Sequence, residues 1–243
     1  MVDSLEIARR FKLILDNGPI YNEFVHDSVV REPWNAYSSL FFFIPVLFWV
    51  WRLWGEFDNN RIFIVILPLL FLNGLGSTLF HAFRDEPLFL LLDWLPASMM
   101  SFTLSAYFWT KVIGRWYWGI ICVIGFYVFA IFTISTISLR LPHASFAPNI
   151  GYFFVGCSLL VPLIILLRRQ AYAYVYYVLF TFIFLGLALL FRTLDYPTPN
   201  PIPELLPQGT HFLWHIFSSF AVFTLGFFIY KSNKRSKILQ EFD

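Results

Sequence analysis

Residues 62–83 read IFIVILPLLFLNGLGSTLFHAF, a run with no Asp, Glu, Lys or Arg in it. An α-helix needs about 20 mostly apolar residues to cross the hydrocarbon core of a bilayer, and a run this long is not a strand. The pattern recurs on both sides of it, at about 35–54, 88–109, 116–137, 148–167, 172–191 and 210–230. None of these runs alternates apolar and polar residues as a barrel strand does, so seven spanning helices are predicted. The gaps between them are short, which predicts sequential antiparallel neighbours in one all-α bundle, an integral membrane protein with no second domain. The chain then reads as an N-terminal segment 1–34, a seven-helix domain 35–230 and a basic tail 231–243.

Composition agrees. Of 243 residues, 58% are hydrophobic, 21% aromatic and 13% charged, against roughly a quarter charged in a soluble domain. That excludes a water-soluble globule and a disordered chain. Cys122 and Cys157 lie inside apolar runs, where small buried hydrophobes are expected rather than a disulfide. A net charge of +2 on scattered basic residues gives no nucleic-acid surface, and nothing in the sequence points to an obligate protein partner.

The basic residues predict an orientation. With the N-terminus outside, the inner side collects Arg52, Arg61, Lys111, Arg115, Arg168, Arg169, Lys231, Lys234, Arg235 and Lys237. The outer side has Arg9, Arg10, Lys12, Arg31, Arg84, Arg140 and Arg192. The excess favours an extracytoplasmic N-terminus and a cytoplasmic C-terminus. Residues 1–34 contain no apolar run of signal-peptide length, so no cleaved signal is expected. Leu5, Ala8, Phe11 and Leu15 recur at helical spacing, as in a short helix lying on the membrane surface.

Polar residues inside the spans are few, and each costs insertion energy that asks for a reason. Asn73, Ser77 and His81 fall at i, i+4 and i+8, on one face of the second helix. Asp93 lies about two turns into the third helix, and His211 and His215 share a face at the start of the seventh. The alternating topology puts His81, Asp93 and the histidine pair at one depth, in the outer leaflet. His and Asp at one level compose a metal site, and three imidazoles make the catalytic type of zinc site. Blander readings remain open: His211 and His215 solvated at the interface, His81 as a helix cap, Asp93 paired with Arg84 or Arg192. His26 and His143 read as structural residues, and Arg192 with Asp195 as an ion pair or a support behind the site.

The segments Gly76-Ser77-Thr-Leu-Phe-His81, Leu92-Asp93-Trp94-Leu95-Pro96 and Gly209-Thr210-His211-Phe-Leu-Trp-His215 together resemble the alkaline ceramidase family. That family belongs to a superfamily of seven-helix hydrolases that also holds the adiponectin and progestin receptors. Glu32-Pro33-Trp34-Asn35 resembles the family's segment before the first helix, so the likeness covers most of the chain. The resemblance implies that His81, His211 and His215 hold zinc, with Ser77 and Asp93 beside the metal's water. It implies hydrolysis of a ceramide-like membrane lipid amide to sphingoid base and fatty acid. It further implies a calcium site near the N-terminal segment, built from acidic residues and an Asn. Glu23 and Glu32 match acidic positions there, whereas Ile20 and Val25 stand where Asp and Asn are expected; Asp16, Asn22 and Asp27 are the other candidates.

In such a site Asp93 is the proton acceptor for water and Ser77 a donor to the oxyanion. The bulky aromatics of helices four to six, and the Pro-rich stretch 196–208, are candidates to line and rim a lipid entrance. A receptor with structural zinc and a lipid ester hydrolase keep the same residues with different outcomes. Light sensing through a retinal Schiff base is excluded, because every lysine lies outside the apolar runs.

Overall fold

The computed structural model describes residues 16, 18–25, 27–140, 147–195 and 200–242, with side chains left aside at 147–150, 152 and 239–242. The predicted surface helix, His26 and His143 lie outside the described residues, as does part of the Pro-rich stretch.

All regular structure among the described residues is helical. Helix α1 covers Pro33–Arg52, tightened to a 3₁₀ turn at Leu40–Phe42. It is followed by α2 (Ile62–Phe83), α3 (Pro87–Ile113), α4 (Trp116–Arg140), α5 (Ala147–Arg169), α6 (Val175–Thr193) and α7 (His211–Phe242). Among the described residues, six of these, α1 to α4, α6 and α7, are long and apolar enough to cross a membrane. The seven helices fall where the seven apolar runs were read, and the chain is an all-α membrane protein. Pro33 stands in the first turn of α1, where a missing N–H costs nothing, so this helix starts two residues before the expected boundary. The tail differs more. Helix α7 runs on past Tyr230 to Phe242, because 227–242 holds no Gly or Pro and its Lys, Arg, Gln and Glu are good helix formers.

The chain forms two units, Met1–Ala97 with Tyr176–Asp243, and Ser98–Val175. In the first, α1 packs on both α2 and α7. Trp49 of α1 is 1% exposed, wedged against Phe63 of α2 and Phe227 of α7 at ring separations of 5.0 and 4.9 Å. A Cβ on Gly226 would meet the Trp49 indole, so α7 comes this close only because that position lacks a side chain. Thr181 and Thr224 hydroxyls, 2.9 Å apart, tie α6 to α7. In the second unit α4 packs on α5, while Ser105 bonds to Ser158 at 2.8 Å and the Trp109 indole donates to the Ser158 carbonyl at 3.1 Å. Cys122 and Cys157 are free thiols. Outside these contacts the helices present Leu47, Val128, Phe132 and Leu139 outward, as lipid allows and water does not.

One contact sets the position of the polar residues. A Cβ on Gly76 would fall on the backbone and side chain of Leu92, so α2 and α3 touch backbone to backbone, one residue away from both Ser77 and Asp93. Gly76→Ala is expected to force the two helices apart and destabilise the protein by about 1–3 kcal/mol, the range for overpacking. Thermal unfolding in detergent checks this, and an unchanged transition would show that the close approach is dispensable.

Candidate metal centre

His81 lies in the last turn of α2, while His211 and His215 occupy the first two turns of α7. Their exposures are 0, 2 and 2%. The three rings have centroids 5.2, 4.9 and 4.8 Å apart pairwise, and one nitrogen from each lies within 4.8 Å of the others. The reading of a solvated His211 is therefore corrected: burial excludes water from the pair.

A neutral imidazole has one N–H and one lone pair, and the hydrogen bonds decide which nitrogen is which. Glu32 Oε2 accepts from His81 Nδ1 at 2.5 Å, so the lone pair of His81 sits on Nε2. Ser38 donates to the Asn35 carbonyl at 3.0 Å, which makes its oxygen, 2.9 Å from His215 Nδ1, the acceptor there and leaves the His215 lone pair on Nε2. His81 Nε2 and His211 Nδ1 are buried with no hydrogen-bond partner. Buried polar atoms are rarely left so, and two unpaired ring nitrogens beside a third imidazole are what a bound metal ion satisfies.

Beside the histidines, Ser77 is 1% exposed, 3.0 Å from Ser39 Oγ and 3.5 Å from His215 Nε2. Its hydroxyl faces the Asp93 carboxyl. The Asn73 amide, one turn further along the same face of α2, donates to the Asp93 backbone carbonyl. Asp93 is half-buried. Asn73 and Ser77 of this face of α2 thus meet Asp93 at one end of the first unit.

The N-terminal segment closes this end. Arg31 and Glu32 donate their backbone N–H groups to the carbonyls of Ala82 and His81 at 2.8 and 3.0 Å, satisfying the open end of α2. Tyr21 stacks on His211 at 3.8 Å between centroids and tilts against His81 at 5.3 Å.

Glu23 and Glu32 are both buried. Glu23 accepts from the backbone N–H groups of Trp34 and Asn35 at 2.8 and 2.9 Å, capping the start of α1. Burial pushes its carboxyl up to about 7 against the pull of those two bonds. Glu32 bonds His81, the Asn35 amide at 3.1 Å and the Arg84 guanidinium. Burial raises it to about 7 too, opposed first by Arg84. Every carboxylate oxygen of the two residues already has a protein donor. Arg84 pairs with Asp16 and Glu32 rather than with Asp93. Asp195 serves backbone donors: its Oδ2 accepts from Thr210 and His211 N–H at 2.6 and 2.8 Å, and its Oδ1 from Asn22 N–H at 2.9 Å. The Arg192 guanidinium lies over the Trp214 ring, 5.7 Å from its centroid.

Sequence reasoning reaches Asn35 only within the segment Glu32-Pro33-Trp34-Asn35 and does not reach Ser38 and Ser39, although polar residues opening a spanning run are a signal. Arg84 and Asp195 give a weaker one, being charges in the connections between helices. No protein-family model matches the chain, and no curated protein matches it either.

The Asp195 carboxylate holds the first two backbone donors of α7 and thereby the approach of His211. Asp195→Ala is expected to cost about 1–2 kcal/mol, the upper range for losing a helix cap. The accompanying observation is the thermal transition in detergent, which Asp195→Asn should lower less.

Proposed function

We propose that this chain is a zinc-dependent lipid hydrolase working within the membrane, cleaving the amide of ceramide-like N-acyl lipids. The observation that carries the reading is the meeting of three buried imidazoles with a Ser77–Asp93 pair at one end of the helices. Three imidazoles are the donor set of catalytic zinc sites, which keep one position for water or substrate. The orphaned nitrogens of His81 and His211 fit that ion, and Glu32 behind His81 is the carboxylate that such ligands commonly lean on. Glu23 and Glu32 are already engaged, so calcium is no part of the proposal.

Zinc bound there supplies a Lewis acid that eases deprotonation of water near neutral pH and polarises a carbonyl. Asp93 takes the proton from the attacking water and returns it to the amide nitrogen as the C–N bond breaks. The product amine leaves neutral, and the carboxyl group released is the fatty acid. Ser77 turns its hydroxyl from Asp93 to the carbonyl oxygen as that oxygen gains charge. Asn73 holds the backbone at Asp93, so the carboxylate does not drift along α3. The half-burial of Asp93, against the full burial of the histidines, favours substrate entry from its side, with acyl chains remaining in lipid. The positive-inside count supports an outward site, with the C-terminus in the cytoplasm.

Purified protein is expected to carry one zinc per chain, and His81→Ala or His215→Ala to lose it. Protein with intact histidines and no bound metal would overturn the reading.

Asp93→Asn is expected to keep zinc and lower fatty-acid release from N-acyl lipids by at least about 100-fold, the lower range for losing a general acid–base group. Mass spectrometry of the products from a panel of lipid amides and esters checks this. Exclusive release from esters would move the bond cut, while ligand binding that survives Asp93→Asn without turnover in the wild type would indicate a receptor.

A further inference from the structure

Arg84 is the largest fully buried charged side chain among the described residues, 0% exposed. It stands directly after α2 with φ 58°, the left-handed conformation in which a helix usually ends on glycine. A long side chain at such a position costs conformational energy, and the geometry around it gives the reason.

Four oxygens surround the guanidinium. Asp16 accepts twice, from Nε at 2.7 Å and from Nη2 at 3.2 Å, the Pro19 carbonyl accepts at 2.8 Å, and Glu32 Oε1 accepts from Nη1. The Phe80 ring closes one side, 4.5 Å from the guanidinium carbon. Glu32 is thereby gripped from two directions, Oε1 by Arg84 and Oε2 by His81 Nδ1 and Asn35. A fork-shaped donor fixes both the position and the plane of a carboxylate. Glu32 in that plane holds the His81 proton on Nδ1 and aims Nε2 at the histidine cluster.

We propose that Arg84 is a built-in cation that positions the metal ligand His81 through Glu32, so that the centre needs no second metal ion to hold its shape. Without the guanidinium, Asp16 and Glu32 are two buried like charges with nothing between them, and Glu32 loses the bond that orients it. Oxygens in this arrangement suit either a guanidinium or a hard divalent cation. The inference rests on the zinc reading above, and its test separates the two.

Arg84→Gly removes the side chain while relieving the left-handed backbone, so the fold keeps its turn. Zinc affinity is measured by competition with a chromophoric chelator, alongside the thermal transition. The tested proteins are full-length, in detergent, with and without millimolar guanidinium or calcium. Wild type is expected to bind zinc equally with or without calcium. Arg84→Gly should bind it about 10- to 100-fold more weakly, the range for losing a residue behind a metal ligand. Guanidinium or calcium should restore part of that affinity, and Arg84→Lys should fall between. If Arg84→Gly does not fold, Arg84→Lys and Glu32→Gln carry the same comparison.

A wild type that binds no zinc overturns the metal reading and this inference with it. A zinc-binding wild type matched within twofold by Arg84→Gly, or by both substitutes for it, overturns the role of Arg84 alone. So does a folded Arg84→Gly that loses zinc and recovers with neither cation, or a wild type whose zinc affinity rises with calcium.

Discussion

The contact between Glu32 and His81 is the constraint around which this end of the protein is arranged. A buried imidazole in a greasy surrounding has nowhere to send its N–H unless the protein provides an acceptor, and here the acceptor arrives from outside the helices. Glu32 in turn is a buried carboxylate, tolerable only because Arg84 and Asn35 donate to it. Each group therefore requires the next, from Asp16 through Arg84 and Glu32 to His81. The N-terminal segment is a working part of the centre for that reason.

The same logic governs His215, whose Nδ1 is met by hydroxyls at the start of α1. Two imidazoles are oriented by one stretch, Glu32 to Ser39, that runs from the end of the N-terminal segment into the first turns of α1. His211 is oriented differently, by Asp195 at its backbone and by Tyr21 against its ring. Three imidazoles of equal chemistry thus have three kinds of support, all from the first unit.

Much of this was legible beforehand because membrane helices obey simple arithmetic. Nearly charge-free runs of about 20 residues mark the helices, and an interval of four places His211 beside His215 and Ser77 beside His81. Alternation of direction then brought the end of α2 and the start of α7 to one level. What periodicity does not reach is the partner of a charge in a connecting segment. On sequence Arg84 is one of two alternative partners for Asp93, whereas it reaches back to Asp16, 68 positions earlier in the chain. On sequence Asp195 reads as an ion-pair partner of Arg192 or a support behind the site, and the structure gives it the Asn22 amide and three backbone donors, which carry no letter in a sequence. The continuation of α7 was missed for a related reason: polarity was read as an end to the helix, when only Gly, Pro or a cap would end it.

The length of that last helix has a mechanical meaning. From His211 to Tyr230 it rises about 30 Å at 1.5 Å per residue, the thickness of a hydrocarbon core. Lys231 follows immediately, then Lys234, Arg235 and Lys237. Because these cations resist being drawn into oil, the helix cannot sink toward its histidine end without immersing them. The basic extension is a stop on a plunger, fixing how deep the imidazoles ride below the opposite face.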